Sequence, residues 1–362
     1  MDRRSVLTGA GLAAMAAPLA APAYAKGERS LKMLTTWPKG LPGLGTLAEN
    51  TARRIETLTD GQIKIRVYAA GELVDAFGAF DAVSQGSADM YHGAEYYWQG
   101  KSVGFNYFTS VPFGLNAAEY DAWIHTGGGQ ALWDELSARF KVKAFNAGNT
   151  GVQMGGWYNR EINTADDFRG LKIRMPGLGG EVMRKLGAAA VSRPGDQIYQ
   201  ALQTKEIDAT EWVGPWNDRA LGLQRVAKYY YWPGWHEPGA ALSLGINLDV
   251  WQSFTPLQQT LIRTACEAES LTNLAEFNWR NAGELRKLQE SGVELRRFSD
   301  EVLKVIGRTS EEVMTEVVAG AGDELVTRIH ESFLEARRIG ILWGEISEQG
   351  YAHARRIALA AD

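Results

Sequence analysis

The sequence has very little cysteine, because Cys266 is the only one among 362 residues. A lone thiol can form neither an intramolecular disulfide framework nor a cysteine-based metal cluster. Basic residues form no dense block and the formal net charge is −5, which argues against a nucleic-acid partner. Beyond the first 25 residues no apolar run approaches the roughly 18 residues of a membrane-spanning helix, so none is predicted there.

The common catalytic signatures are also missing. The histidines do not form a His-Glu-x-x-His pattern, and the chain has neither a Gly-x-Ser-x-Gly elbow nor a dinucleotide-binding glycine fingerprint. His236 directly precedes Glu237 and could carry a proton, but a single histidine is more often a hydrogen-bonded structural residue. The sequence therefore favours no particular enzyme class.

The N-terminal residues predict export. Arg3 and Arg4 precede an apolar run at positions 7–19 that is rich in small residues, and Ala23-Tyr24-Ala25 fits the small-x-small cleavage rule. This pattern predicts a twin-arginine signal peptide at residues 1–25 and a periplasmic mature protein. An uncleaved membrane anchor is the alternative, but the run is short for a span and contains Pro18.

The mature chain begins as an alternating α/β protein. Hydrophobic periodicity predicts strands at residues 31–36, 63–68 and 88–92, with helices at 44–58 and 73–85 between them. Strand, helix and strand in this order imply right-handed crossovers and a mostly parallel sheet. We therefore expect an α/β fold in which helices flank the sheet.

The longest predicted helix comes late in the chain. Thr255-Pro256-Leu257-Gln258 is a capping-box start with proline in the first turn, and apolar residues recur at helical spacing to residue 289. Such a helix would span about 50 Å, which exceeds the width of one small domain. We expect it to bridge two lobes.

Two carboxylates lie in unusually apolar surroundings. Glu211 stands among apolar and aromatic residues at positions 207–216, where Gly214-Pro215 should end a strand, and Glu237 follows an aromatic passage at 229–236. Burying a bare carboxylate is costly unless a cation or strong hydrogen-bond donors accompany it. The pair therefore predicts a bound hard cation together with an anionic substrate.

Further polar and aromatic residues occur where a ligand could reach them. Tyr96 and Tyr97 follow a predicted strand, at the edge where open α/β sheets bind ligands, although they could equally cover that edge. Gln153 lies among glycines and is either an oxygen ligand for a hard cation or a buried core amide. Arg174 ends an apolar strand and needs an anionic partner, either a ligand carboxylate or a protein carboxylate.

Several segments together resemble a known family. The segments that carry the likeness, besides the signal and the long helix, are 148–157, 168–176, 196–203, 207–215 and 229–235. They look like a solute-binding protein of a TRAP transporter, in the DctP-like family. Of these segments, 148–157, 207–215 and 229–235 resemble the metal-dependent branch of the family, which binds 2-oxo or 2-hydroxy monocarboxylates. The similarity extends through nearly the whole chain.

The resemblance implies a role for individual residues. Arg174 stands where the family arginine binds the substrate carboxylate. Gln153, Glu211 and Glu237 match side-chain ligands of the cation, and Trp212 matches a residue that contributes its backbone carbonyl. The implied cation is Ca²⁺ or Na⁺, and the implied substrate is a pyruvate- or lactate-like acid. The implied pocket walls are aromatic and comprise Trp37, Tyr96, Tyr97, Trp212, Trp216 and Trp235.

The resemblance also implies a two-lobed fold of the periplasmic-binding-protein type. Lobe I would comprise residues 28–151 and about 241–270, and lobe II residues 152–240 and about 271–310. Residues 311–362 would form C-terminal helices that can mediate a homodimer. The implied partners are the membrane subunits of the TRAP transporter, which would receive the acid.

Two other classes of protein stay open on the residues alone. Glu211 and Glu237 could be the acid/base pair or the metal ligands of an exported enzyme, such as a glycosidase, and turnover of a small acid or glycoside would favour it. A structural or adhesive envelope protein is the third alternative. A small acid and a metal bound tightly to the purified protein would count against it.

Overall fold

The computed structural model describes residues 28–360 of the chain. The signal peptide predicted at residues 1–25 lies outside the described residues and stays a prediction. Within residues 28–360, eleven strands form two sheets and helices pack around both, so the predicted two-lobed α/β fold is confirmed.

The strands and helices alternate along most of the chain. The strands are β1 (Arg29–Thr35), β2 (Ile63–Tyr68), β3 (Met90–Gly93), β4 (Val142–Asn149), β5 (Gly156–Tyr158), β6 (Lys172–Arg174), β7 (Ala189–Val191), β8 (Ala209–Thr210), β9 (Tyr229–Trp232), β10 (Ala241–Asn247) and β11 (Glu294–Arg297). The helices are α1 (Gly45–Leu58), α2 (Ala79–Ser84), α3 (Ala117–His125), α4 (Gly129–Ala138), α5 (Gly177–Lys185), α6 (Gly195–Gln203), α7 (Pro215–Leu221), α8 (Leu248–Gln252), α9 (Pro256–Glu290), α10 (Asp300–Ala321), α11 (Glu324–Ile346) and α12 (Glu348–Ala358).

Each sheet is parallel except for one strand. The first sheet has the order β2-β1-β3-β10-β4, and only β10 runs against its neighbours. The second has the order β11-β9-β5-β8-β6-β7, and only β5 is reversed. Both reversed strands arrive from the other sheet, whereas the parallel strands follow helical crossovers. The expected mostly parallel sheets are therefore confirmed.

Two segments carry the chain between the sheets, and we call them the paired crossings: residues 150–155 join β4 to β5, and residues 233–240 join β9 to β10. Backbone hydrogen bonds tie them together, because the Gln153 N–H donates to the Glu237 carbonyl at 3.2 Å and the Gly234 N–H donates to the Gln153 carbonyl at 3.0 Å. A Cβ at Gly234 would lie 2.3 Å from that Gln153 oxygen, so this close approach requires glycine.

Helix α9 bridges the two lobes. It begins at Pro256 and ends at Glu290, close to the predicted limits, and Thr255 and Gln258 form the predicted capping box. The helix packs against β4 and α1 of the first lobe and against α7, which follows β8 of the second. The predicted bridging helix is therefore confirmed.

The predicted helix at residues 73–85 is shorter in the structure. Only α2 is α-helical there, and a single 3-10 turn at Ala76–Gly78 precedes it. Gly71 adopts a positive φ of 82° in the preceding turn, Leu73 is exposed, and Ala76 is the one fully buried residue at positions 71–78. Val74 and Phe77 pack against other first-lobe residues, but consecutive buried residues begin at Ala79 and Phe80.

The C-terminal part is helical, as predicted for the residues after Ser299. Helix α10 packs on α5 of the second lobe, and α11 packs on α3 and α4 of the first. No residue of α12 is buried, and all except Gly350 are exposed. Among the helices at residues 28–360, none combines the length and apolar character that a membrane span requires.

Candidate functional site

Neighbouring parallel strands bring Arg174 and Glu211 side by side. β6 ends at Arg174, β8 ends at Thr210, and the strand register pairs these two residues. The Glu211 N–H donates to the Arg174 carbonyl at 3.2 Å, so both side chains leave the same edge of the sheet. The guanidinium and the Glu211 carboxylate form a fully buried ion pair.

Arg174 is held by groups from both lobes. Its Nε donates to the Arg193 carbonyl at 3.0 Å, and its Nη2 lies 3.4 Å from the hydroxyl of Tyr97, a first-lobe residue. The Trp212 ring centre lies 5.1 Å from the guanidinium carbon, within range of a cation–π contact. Burial alone would lower the pKa of Arg174, but Glu211 and the other acidic groups around it raise the pKa above its ordinary value, so the guanidinium stays charged.

Gln153 and Glu237 meet on the paired crossings. The Gln153 Nε2 donates to Glu237 Oε2 at 2.7 Å and to Thr150 Oγ1 at 3.1 Å, while its Oε1 is buried without a hydrogen-bond partner. Burial raises the pKa of Glu237 well above its ordinary value, and the negative charge of Glu211 adds to this effect. The cluster therefore contains two mutually repelling carboxyl groups for one arginine, together with an oxygen that has no donor.

His236 completes the cluster, although the sequence favoured a structural role for it. Its Nε2 lies 3.3 Å from Glu211 Oε2, and neither ring nitrogen has a hydrogen-bond partner among the described residues. Ligand atoms of Glu211, His236 and Glu237 all lie within 4.8 Å of one another. The signal in the sequence is the His-Glu dipeptide within an aromatic passage.

First-lobe aromatic rings form one side of the cluster. Tyr96 and Tyr97 lie in a 3-10 turn directly after β3, and their rings meet edge to face with centres 4.8 Å apart. The Trp37 ring packs against Tyr97 at 6.3 Å. Its Nε1 donates to His92 Nδ1 at 2.9 Å, and burial lowers the pKa of His92 to about 3, so the neutral imidazole can accept this bond. The three predicted wall residues Trp37, Tyr96 and Tyr97 are thus contiguous.

The predicted wall residues Trp216 and Trp235 lie differently. Trp235 stacks on Phe113 with ring centres 6.2 Å apart, and its ring also meets that of His236. Trp216 packs against Phe277 of α9 at 5.3 Å. Within residues 28–360, no ring contact or hydrogen bond joins Trp216 to the charged cluster, so its place in the pocket wall stays a prediction.

Asp218 supports the turn after Glu211 and was missed by the sequence analysis. Its carboxylate accepts four hydrogen bonds, from the backbone N–H of Val213 and of Gly214 (both 3.0 Å), the Trp157 indole (2.9 Å) and the Tyr230 hydroxyl (2.7 Å). These donors come from separate strands and a turn, so no local sequence pattern could have indicated them.

Glu95 supports the turn that carries the two tyrosines and was also missed. Its carboxyl group accepts hydrogen bonds from the Tyr91 hydroxyl at 2.6 Å and from the Trp133 indole at 2.7 Å. Burial raises the pKa of Glu95 to about 8. The anchor links this turn to α4, which carries Trp133.

The charged cluster is closed to solvent. The side chains concerned are at most 4 % exposed, and they are Gln153, Arg174, Glu211, His236 and Glu237. They lie where the paired crossings, the edge of the second sheet and the Tyr96–Tyr97 turn of the first lobe meet. Two α/β lobes with buried, excess binding groups at their junction define a two-lobed ligand-binding protein.

Comparison with known families agrees with this class. Residues 34–320 match the DctP family, described as bacterial extracellular solute-binding protein, family 7. The chain belongs to this family, and the resemblance noted from the sequence is confirmed. Members of the family are periplasmic solute-binding proteins of TRAP transporters.

Individual relatives are similar over most of the chain. A monocarboxylate 2-oxoacid-binding periplasmic protein of Nostoc sp. is 40% identical over 320 residues, which cover 88% of this chain and 87% of that protein. A TRAP transporter solute-binding protein of Bordetella bronchiseptica RB50 is 35% identical with a TM-score of 0.89, over 92% of this chain and 98% of that one. Its structure is a mixed-occupancy dimer, with copurified calcium and picolinate bound in one active site and an apo site.

A third relative is a TRAP periplasmic solute-binding protein of Pseudoalteromonas atlantica T6c with bound sodium and pyruvate. It is 34% identical with a TM-score of 0.86, over 90% of this chain and 99% of that one. All three relatives are named as binding proteins, which supports a binding protein over the exported enzyme that the sequence left open.

Proposed function

We propose that this protein captures a small 2-oxo or 2-hydroxy monocarboxylate, such as pyruvate or lactate, in the periplasm. A hard cation, Ca²⁺ or Na⁺, bridges the protein and the acid, and Arg174 binds the carboxylate. The observation that carries this proposal is the burial of Arg174, Glu211 and Glu237 in one cluster at the lobe junction. The substrates and cations named for the relatives support the same choice.

The donor set fits a hard cation. Gln153 Oε1 and Glu211 Oε2 are buried oxygens without hydrogen-bond partners, and Glu237 and the Trp212 carbonyl are the other proposed ligands. Two carboxylates, two neutral carbonyls and two oxygens from the acid supply six or more oxygen ligands. That number and chemistry suit Ca²⁺ or Na⁺ better than Zn²⁺.

The charges fit an anionic substrate as well. Glu211, Glu237 and one substrate carboxylate would bring three negative charges, and Arg174 with a mono- or divalent cation would offset two or three of them. Chelation through the carboxylate and the 2-oxygen explains the proposed selectivity, because an acid without the 2-oxygen leaves one cation ligand position empty. The aromatic side chains Trp37, Tyr96, Tyr97, Trp212, Trp216 and Trp235 are the proposed pocket wall, and their bulk favours a small acid.

Release to a partner would follow from the two-lobed arrangement. We take lobe I as residues 28–151 and about 241–270, and lobe II as residues 152–240 and about 271–310; the sheets that contain β10 and β11 support this division. The acid stabilises the closed form because it contacts both lobes. The membrane subunits of a TRAP transporter would then bind the closed form and receive the acid.

The C-terminal helices, residues 311–362, are the proposed contact with a second copy. Large apolar side chains are exposed at the end of α11 and on α12, namely Ile341, Leu342, Trp343, Ile346, Tyr351 and Ile357. An exposed group of this kind is typical of an interface rather than of a free surface. The dimer described for the Bordetella relative supports this proposal.

Glu211→Gln tests the cation bridge directly. The variant keeps the size of the side chain and one ligand oxygen but loses the negative charge, so we expect it to abolish high-affinity pyruvate binding in titration calorimetry. Glu335→Gln removes a carboxylate of an exposed ion pair on α11 and is the matched control. Unchanged pyruvate affinity in Glu211→Gln would reject the bridge.

Protein purified without chelator gives an independent test. Mass spectrometry should find a small 2-oxo or 2-hydroxy acid, and elemental analysis should find calcium or sodium in stoichiometric amount. Conversion of the acid by the pure protein would instead favour an enzyme.

A further inference from the structure

The proposed hard-cation arrangement leaves one polar side chain without a role. His236 is 2 % exposed, and neither of its ring nitrogens has a hydrogen-bond partner among the described residues. A buried imidazole normally donates one hydrogen bond and accepts another, so two unused nitrogens next to two carboxylates indicate an unassigned ligand.

The position of His236 suits a metal ligand. With zinc–ligand bonds of about 2.1 Å, two ligand atoms of one tetrahedral ion lie about 3.4 Å apart. The distance from His236 Nε2 to Glu211 Oε2 is 3.3 Å, and no hydrogen bond occupies this space. Glu237 offers a carboxylate oxygen to the same group, since one ligand atom from each of Glu211, His236 and Glu237 lies within 4.8 Å of the other two.

The chemistry of this trio differs from that of the all-oxygen set. One imidazole nitrogen and two carboxylates bind borderline first-row cations such as Zn²⁺, whereas Ca²⁺ and Na⁺ prefer oxygen. The trio uses Glu211 Oε2 and leaves Oε1 on Arg174, so the buried Arg174–Glu211 pair stays intact. An ion held in this way would occupy Glu211 and Glu237, so the hard cation on which the proposed capture of the acid depends could not use them.

We propose that His236, Glu211 and Glu237 form a second binding mode that takes a borderline divalent cation such as Zn²⁺ and blocks capture of the acid. This inference rests on the proposed function, because both modes use Glu211 and Glu237. It makes the protein a receptor that Zn²⁺ inhibits in competition with Ca²⁺ or Na⁺.

The test compares Zn²⁺ with Ca²⁺ on the full mature chain after metal removal by chelator. Calorimetric titrations with each ion give the ratio of the two affinities for the unmodified protein, His236→Gln and His125→Gln. We expect His236→Gln to lower the Zn²⁺ affinity at least about 100-fold relative to the Ca²⁺ affinity. His125→Gln, an exposed histidine on α3, should leave the ratio unchanged.

A measurement on the unmodified protein keeps the test independent of how well the variant folds. Cu²⁺ loaded at one equivalent should show nitrogen coupling in its electron paramagnetic resonance spectrum, and excess Ca²⁺ with pyruvate should remove this signal. Equal loss of Zn²⁺ and Ca²⁺ affinity in His236→Gln, or a Cu²⁺ spectrum without a displaceable nitrogen signal, overturns the inference. Failure of Ca²⁺-dependent pyruvate binding in the unmodified protein would instead overturn the proposed function, and the two results are read separately.

Discussion

Pyruvate binding should depend strongly on the cation, because Arg174 is already engaged by a protein carboxylate. In the structure its guanidinium forms a buried ion pair with Glu211, and the same carboxylate is a proposed cation ligand. While this pair persists, Glu211 neutralises the charge that a substrate carboxylate would bind, so we expect strong binding of the acid when Glu211 turns toward another positive charge. The cation supplies that charge, so the cation and the acid should bind with positive cooperativity.

The size of the cation's effect on pyruvate affinity follows from the energy needed to separate the Arg174–Glu211 ion pair. Separating a fully buried, hydrogen-bonded charge pair costs about 2 to 5 kcal/mol. This range corresponds to a change of about 30-fold to 4,000-fold in Kd. We therefore expect removal of Ca²⁺ and Na⁺ to weaken pyruvate binding by a factor in this range, and pyruvate to tighten Ca²⁺ binding by the same factor.

The assay is a pair of calorimetric titrations, pyruvate into protein with and without Ca²⁺, and Ca²⁺ into protein with and without pyruvate. In the titrations without Ca²⁺, potassium or a bulky organic cation should keep the ionic strength the same, so that the two sets of titrations do not also differ in charge screening. Equal pyruvate affinity in chelator and in Ca²⁺ would refute the exchange of Glu211 between Arg174 and the cation.

Three further predictions concern stability and assembly. Burial raises the pKa of Glu95 from 4.5 to about 8, so the contribution of this group to folding stability is largest at low pH and falls as the pH rises to 8. Glu95→Gln should therefore flatten the plot of melting temperature against pH in this range. An unchanged slope between pH 5 and 8 would contradict this prediction. Asp218→Asn leaves at least one of four donors unpaired at a cost of about 1 to 3 kcal/mol, so thermal unfolding should begin at lower temperature and pyruvate should bind more weakly. Trp343 is 66 % exposed on α11, and Trp343→Glu should shift any dimer to monomer in light scattering, whereas the paired surface variant Glu335→Gln should not.

The parts of the fold that the sequence predicted well carry local signals. Thr255, Pro256 and Gln258 indicate the start of helix α9 within one turn, and apolar residues recur at helical spacing for many turns after it. The two glutamates were identifiable because a carboxylate among aromatic residues contradicts the usual distribution of charge. Each of these signals is contained in a short stretch, so no knowledge of the tertiary fold was needed.

The partners of the site residues could not be predicted in the same way. The residues alone left Arg174 with either a ligand or a protein carboxylate, and only the β6–β8 register places Glu211 beside it. The adjacent Glu237 is visible in the sequence, but the other acidic neighbour of His236, Glu211, follows the distant strand β8. The short α2 shows the opposite error, because residues 73–78 have a helical pattern but leave Leu73 exposed and form only a 3-10 turn before Ala79.

The paired crossings would link the proposed cation binding to lobe closure. Gln153 and Glu237 lie on different crossings, and two backbone hydrogen bonds join these crossings, so we expect the two proposed cation ligands to keep their relative position when the lobes move. The register of β6 and β8 within one sheet holds the backbones of Arg174 and Glu211 side by side. The first lobe contributes mainly Tyr96 and Tyr97, and its contact with Arg174 is a single 3.4 Å hydrogen bond. We infer that the backbone of the proposed cation site is preformed on the second lobe and the crossings, that the Glu211 side chain turns to the cation on binding, and that closure adds the aromatic wall around the acid.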